Sequence, residues 1–259
     1  VLLNDFIRRH HFPVITSLMG RGAIDETYDN YIGMIGSYGN RCANMGVANA
    51  DLLIALGTRL DTRQTGARLD QFLSNGHIIH VDIDDNELEY HRLLNRKKVN
   101  CTIDCFLQKE KEMPISLGDI SEWNFFLHGL KQRYGQDAEI ERFVENKSPY
   151  RFMQYFDSLT QTDDVICADI GQNQMWAAQT LRLKSGQKFV TSGGLAPMGF
   201  SLPVAIGCSF ANPNKKVFSI NGDGGFHMAI QSLMLISQYN LPIKVIILNN
   251  ASLGMITQF

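Results

Sequence analysis

The chain has 259 residues, of which 44% are hydrophobic and 19% charged, and its formal net charge is -2 at pH 7. Such a composition suits one or two globular domains, each able to bury a sizeable core. The near-neutral charge excludes a broad attraction to nucleic acid or to an anionic membrane surface. No apolar run approaches the roughly 18–20 residues of a membrane-spanning helix. The five cysteines, Cys42, Cys101, Cys105, Cys167 and Cys208, contain no C-x-x-C pair. An odd, scattered set reads as reduced thiols of a cytoplasmic protein. Cys101 and Cys105 lack the second pair or histidine cluster that a zinc site needs.

The chain opens at Val1-Leu2-Leu3-Asn4, without an initiator methionine and in what reads as mid-helix; it stops at Phe259 inside an amphipathic segment. A piece of a longer protein is expected. Short apolar runs then alternate with helical patterns, the signature of βαβ units and an α/β fold with two doubly wound parallel-sheet domains. Strands are expected at 13–18, 52–56 and 77–83, then at 165–168, 188–190, 217–220 and 243–248. The polar stretch 108–122, with Pro114 and Gly118, reads as a linker. It separates a middle domain over 1–107 from a second domain over 123–259. Helices are expected at 120–134 and at 148–161, where Ser148-Pro149 fits an N-cap followed by N1.

The sharpest local signal lies at 217–250. A buried strand ends in Asn221-Gly222-Asp223-Gly224-Gly225, a helix is expected over 226–239, Asn240-Leu241-Pro242 breaks it, and a second strand ends in Asn249-Asn250. The helix draws on Met228, Ile230, Leu233, Met234 and Ile236 as its apolar set. The length fits one βαβ unit of roughly 30 residues. A right-handed crossover brings both strand ends to one edge of the sheet, where ligands of open α/β sheets bind. Asp223 and Asn250 are therefore expected to converge. A dinucleotide loop would need a third glycine where His227 stands. A carboxylate facing a phosphate calls instead for a divalent cation between them, and Mg2+ takes hard oxygen ligands. By itself G-D-G is a common turn; its pairing with Asn-Asn one unit later is the specific feature.

Gly222-Asp223-Gly224 through Asn249-Asn250 resembles the cofactor motif of the thiamine-diphosphate (ThDP) enzymes. The resemblance implies that Asp223, the Asn250 side chain and the Ser252 backbone oxygen hold Mg2+, with Gly222, Gly224 and Gly225 forming the loop. Gly171-Gln172-Asn173 through Gln179 and Ser192-Gly193-Gly194 through Met198-Gly199-Phe200 are similar to one branch, the acetolactate synthases. That similarity assigns Gln172 and Asn173 to the diphosphate and Met198 to a place under the thiazolium. It puts Met255 over the active site and Phe259 in the second-substrate pocket. From pattern alone the methionines also fit ordinary core filling.

In the first half, Thr16-Ser17-Leu18-Met19-Gly20-Arg21-Gly22, the stretch from Ala50 to Arg63, and His80-Val81-Asp82-Ile83-Asp84 resemble the middle domain of the same branch, which binds FAD. Gly36-Ser37-Tyr38-Gly39 precedes a helix whose amides can hold phosphate, and Asp82 ends a strand where it can accept from a ribose hydroxyl. Gly36, Gly39, Gly57, Arg59, Asp61, Arg63, Asp82, Ile83 and Asp104 are the FAD candidates. A degenerate nucleotide fold that binds nothing is the alternative. The sequence departs from the branch at Tyr38 and Asn173, where histidine is usual, and at Phe259, where tryptophan is usual.

The implied activity is decarboxylation of pyruvate and carboligation to a second 2-oxoacid, in a homodimer or homotetramer with room for a regulatory subunit. FAD is expected to be structural, because this chemistry moves no net electrons. A decarboxylase, oxidase or lyase on the same scaffold is the rival, and a non-catalytic flavin-binding module is a rival of another class. The family's activating glutamate belongs to a separate N-terminal domain. Glu87, Glu89, Glu110, Glu112, Glu139, Glu141 and Glu145 offer no substitute at a strand end beside Asp223.

Overall fold

A computed structural model describes residues 1–90, 92–93, 96–116 and 118–258. The Phe259 expectation lies outside the described residues. Contacts divide the chain into two compact units: Val1–Gly20 with Asp29–Glu139, and Arg21–Tyr28 with Ile140–Phe259. Every strand pairing in both is parallel, as the alternation of apolar runs and helical patterns predicts.

The first unit opens with α1 (Leu2–Arg9), β1 (Val14–Thr16) and β2 (Tyr31–Met34), followed by α2 (Arg41–Asn49) and β3 (Leu52–Leu56). Then come α3 (Thr62–Thr65), β4 (His77–Asp82), α4 (Asp85–Glu89), β5 (Arg96–Asn100), α5 (Ile103–Glu112) and α6 (Ser121–Tyr134). β1 pairs with β2, and β3-β4-β5 form a second sheet. β2 and β5 are absent from the sequence expectation. All four β2 residues are buried, so no polar alternation marks it. β5 reads R-K-K-V-N, the charged face of an edge strand.

The expected linker at 108–122 is corrected at both ends. α5 continues to Glu112, and its Glu110 is 4% exposed, holding Arg9 at 3.0 Å and His10 at 2.7 Å. α6 belongs to the first unit, not to a domain starting at 123: its Leu127 and Leu130 pack with Ile32, Ala43 and Val47. Burial of Leu127 and Leu130 in that core decides the assignment. The boundary falls inside α7 (Gln136–Phe143).

The second unit contains α8 (Pro149–Leu159), β6 (Val165–Ala168), α9 (Gln172–Thr180), β7 (Lys188–Val190) and α10 (Ser201–Ala211). β8 (Val217–Gly222), α11 (Asp223–Met228), α12 (Leu233–Gln238), β9 (Ile243–Leu248) and α13 (Gly254–Gln258) follow. Ser148 caps α8 by accepting from Tyr150 N, with Pro149 in the first turn. The strand order is β7-β6-β8-β9. Val165 is in register with Val217, and Val217 with Ile243. Alternation then sends Val165, Cys167, Val217 and Ile243 to the α10 face, and Ile166, Ile220 and Leu248 to the face covered by α8 and α9. Helices thus cover both faces, as in a doubly wound sheet.

The expected helix over 226–239 is two pieces. Ala229 leaves helical geometry at φ -124°, ψ 15°, and a 3-10 turn at Ile230–Ser232 separates α11 from α12. Most of its apolar set faces outward, with Met228 57% and Met234 74% exposed.

Candidate cofactor and metal site

Three strand ends meet at one edge of the second sheet. Gly222 ends β8 in register with Leu248 at the end of β9, and Ala168 ends β6 in register with Ile220. Asp223 follows directly as the first residue of α11, and Asn250 lies two residues beyond β9. The parallel crossover that joins β8 to β9 therefore brings together the two residues singled out by their spacing. A cavity of about 210 Å³ opens at this edge. Gln172, Asn173, Met198, Gly222, Asp223, Gly224, Gly225, Asn250, Ser252 and Met255 all line it.

The glycines are there for space. A Cβ on Gly225 would stand 1.9 Å from Asp169 Oδ2, one on Gly224 2.5 Å from Leu253 Cδ2, and one on Gly254 2.1 Å from Gln172 Oε1. Real carbon contacts of this kind do not fall below about 3 Å. Gly171 precedes α9 at φ 129°, a conformation L side chains rarely adopt.

Asp169 is the residue that sequence reasoning missed. It is fully buried, and its carboxylate accepts from Gly199 N at 3.0 Å and Phe200 N at 2.9 Å. It thereby holds the segment that carries Met198 against the start of α11. Its signal was its place one residue past the β6 run, the position where such sheets present functional side chains.

Asn250 donates to Gln172 Oε1 at 3.0 Å and accepts from Ser252 N at 3.1 Å. Ala251, between them, sits at φ 51°. The hydrogen-bonded turn places Asn250 and Ser252 on the cavity wall with Asp223. Among the described residues no group of three or more His, Cys, Asp or Glu side chains gathers. A cation at this edge would therefore rely on one carboxylate plus neutral amide and backbone oxygens, the donor set that Mg2+ accepts beside phosphate. Gly222, Gly224 and Gly254 line the cavity with backbone alone, because Asn173, Leu253 and Gln172 pack where their side chains would stand. Asn173 differs from its expected role. Its Nδ2 donates to Asp169 O at 2.9 Å and Ile220 O at 3.4 Å, so the donor assigned to phosphate is engaged by backbone and ties β6 to β8.

In the first unit the FAD candidates from Gly57 onward follow the carboxyl ends of β3, β4 and β5, while Gly36 and Gly39 follow β2 of the other sheet. Gly57 donates to Val81 O at 2.9 Å and, at φ 57°, packs near Ile103. Asp82 ends β4, and its Oδ1 accepts from Asp84 N at 2.9 Å. Ile83 is 69% exposed, and Asp104 lies in the exposed first turn of α5. Asp61 caps α3 through Arg63 N and Gln64 N. Arg59 pairs with Glu87 at 3.0 Å. The 36–39 loop closes on α3: Ser37 N donates to Arg63 O at 2.8 Å, and a Cβ on Gly36 would meet that oxygen at 2.4 Å. Gly39 is equally tight, with Met34 O 2.5 Å from its Cβ position. Asn40 precedes α2 but turns its oxygen to Met34 N, leaving the first turn of α2 without a side-chain cap.

Comparison with known proteins covers both units. Residues 169–259 match the family model of the thiamine pyrophosphate enzyme C-terminal TPP-binding domain, and residues 2–105 that of the thiamine pyrophosphate enzyme central domain. The acetolactate synthase large subunit of Porphyra purpurea is 36% identical over 265 residues, covering 100% of this chain and 44% of the relative. The chloroplastic acetolactate synthase 2 of Brassica napus is 38% identical over 263 residues, covering 99% and 40%. The large subunit from Cyanidium caldarium is 38% identical over 262 residues, covering 99% and 43%. The chain spans less than half the length of these relatives. With the strand-end cavity, its glycine cradle and two domain matches in chain order, the chain belongs to the thiamine pyrophosphate enzyme family and carries its central and C-terminal TPP-binding domains.

Proposed function

We propose that the protein containing this chain is an acetolactate synthase-type enzyme: it decarboxylates pyruvate and joins the remaining two-carbon unit to a second 2-oxoacid. The observation that carries this reading is the convergence of Asp223 and Asn250 on one glycine-cradled cavity, in a chain 36% identical over its whole length to an acetolactate synthase large subunit. When bound, ThDP supplies the nucleophilic carbon and the electron sink that this chemistry requires.

The chain's own residues supply position and environment. Asp223 contributes the negative charge that holds Mg2+, and Asn250 and Ser252 contribute neutral oxygens. Gly222, Gly224 and Gly225 let the backbone approach the diphosphate, and Gln172 braces Asn250. Met198, Leu253 and Met255 form an apolar wall that excludes water and strengthens the polar contacts beside it. Among the described residues no glutamate lines the cavity, so the carboxylate that relays the C2 proton is proposed to come from outside this chain.

FAD is proposed at the β3-β4-β5 edge in a structural role, supported by the uncapped first turn of α2 and by Asp82 at a strand end. A homodimer or homotetramer is proposed as well. The exposed Met228, Ile230, Leu233 and Met234 beside the site support a covering protein surface.

The test is product analysis of the full-length protein with pyruvate, ThDP and Mg2+. Acetolactate is expected. Acetaldehyde, or acetate with peroxide, would mark another enzyme on the scaffold. Asp223→Asn should abolish Mg2+-dependent ThDP binding in calorimetry, and unchanged affinity would overturn the site.

A further inference from the structure

The short segment Arg21–Tyr28 belongs to the second unit, although its flanking residues on both sides belong to the first. Its chemistry is unusual. Arg21 is 6% and Glu26 2% exposed, and charges of this kind are rarely so deeply buried unless paired. The guanidinium grips Glu26 through two bonds, Nε to Oε1 at 2.7 Å and Nη2 to Oε2 at 2.5 Å. Nη1 and Nη2 also donate to backbone carbonyls: Ala178 O, in the last turn of α9, and Leu181 O, just past it. Glu26 completes the clasp by accepting from Leu183 N at 3.0 Å, while its own N–H donates to Leu183 O at 2.9 Å. Phe189 lies under the guanidinium, 5.7 Å from ring centroid to Cζ.

Two requirements of α9 are met at once. The last carbonyls of a helix have no intrahelical partner, and a cation there is favourable to the helix dipole. The opposite end of α9 is Gly171-Gln172-Asn173, on the cavity wall. That end is tied by neutral hydrogen bonds, from Asn173 to Asp169 O and from Gln174 to Thr191 Oγ1 at 2.6 Å. A rod fixed at one end still tilts; a second fixed point sets its axis. α9 has nine residues, a length of about 14 Å at 1.5 Å per residue. With the cavity end as the pivot, a swing of about 5° over that length moves the clasped end by about 1 Å and turns the direction from which Gln172 Oε1 meets Asn250.

We propose that Arg21 and Glu26 are positioning residues for the ThDP–Mg2+ site: the buried clasp on the C-terminal end of α9 sets the axis on which Gln172 meets the metal-binding turn and the cofactor. The inference rests on the cofactor reading given above. Neither residue touches the cavity, so the effect passes through the helix.

The test uses the full-length protein as Arg21→Gln/Glu26→Gln, which removes both charges and leaves no lone ion buried, and separately as Arg21→Lys. Amide hydrogen exchange without cofactor and calorimetry with ThDP and Mg2+ are read below the thermal transition of each variant. The double variant is expected to exchange faster in α9 while β8 stays protected, and to bind ThDP at least tenfold more weakly. Arg21→Lys, which keeps the charge but not the fork, should fall between it and wild type. Unchanged ThDP affinity in a folded variant would overturn the proposal. So would a uniform rise of exchange through the unit, which marks a stabilising pair without a positioning role. Wild-type protein that fails to bind ThDP would overturn the cofactor reading and this inference together. Tight wild-type binding with equally tight variant binding overturns the clasp alone.

Discussion

Gly225→Ala puts the steric reading of the cofactor loop to a quantitative test. The added methyl would sit 1.9 Å from Asp169 Oδ2 and 3.5 Å from Gly199 N. The overlap with the carboxylate exceeds 1 Å relative to an ordinary contact, and Asp169 has no exposed route of retreat because it is fully buried. Moving it breaks the bonds from Gly199 N and Phe200 N. Hydrogen bonds to a charged group contribute about 1.5–3 kcal/mol each, so two lost bonds cost about 3–6 kcal/mol. Total stabilities are about 5–15 kcal/mol, so the loss is a large fraction of what is available. The expected thermal midpoint falls by on the order of 10 °C or more for a unit of this size. Gly224→Ala is the matched control. Its methyl meets Leu253 Cδ2 at 2.5 Å and Met198 Cε at 3.2 Å, both ends of flexible side chains. It should cost about 1 kcal/mol, in the range of mild overpacking, while narrowing the cofactor cavity. Paired melts of the two variants by circular dichroism decide the matter. If Gly225→Ala melts with wild type, or if Gly224→Ala is the worse of the two, the account of Asp169 as a fixed buried brace is wrong.

Burial works to raise the Glu110 carboxyl, but hydrogen bonds from His10, Ile115 N and Arg9 outweigh it and hold the group below the usual glutamate range. A lowered folded-state value stabilises above the unfolded value and is lost as pH falls through the folded one. Urea midpoints measured from pH 6 downward should therefore decline more steeply for wild type than for Glu110→Gln; parallel curves would remove Glu110 from the acid response. Cys42 and Cys167 are buried, and burial pushes both thiols up. In a thiol-reagent titration they should react last, after unfolding, and early labelling of Cys167 would contradict the packing beneath α10. Residues 1–259 expressed alone should bind ThDP weakly and form no acetolactate, since no glutamate lines the cavity among the described residues. Turnover matching the full-length protein would mean that a proton relay within this chain has been missed.

The βαβ unit at 217–250 was readable because its signals are local. An apolar run, a glycine turn, a breaker and a second run each leave a mark, and topology alone brings Asp223 to Asn250. Features that depend on tertiary context were not readable. α6 went to the wrong unit because nothing in its sequence says which core will receive Leu127 and Leu130. α5 hid within a polar stretch because its buried face includes the carboxylate of Glu110, whose partners Arg9 and His10 lie about a hundred positions earlier. The apolar period over 226–239 concealed the break at Ala229, since periodicity records which residues are apolar and not where the backbone turns. Asn173 was expected at the diphosphate; the two carbonyls that its donor meets are visible only once β6 and β8 lie side by side.

The excursion of Arg21–Tyr28 has a consequence for inheritance as well as for mechanics. A domain encoded by one uninterrupted stretch can be cut out, duplicated or transplanted whole. The second unit cannot: a gene segment starting at Ile140 leaves behind the residues that satisfy Ala178 O, Leu181 O and Leu183 N. Recombination at the obvious seam would deliver a recipient with unpaired backbone groups next to a fully buried leucine. Swaps between relatives should therefore succeed when the breakpoints carry residues 21–28 along with the downstream half, and fail when the crossover is placed by sequence order alone.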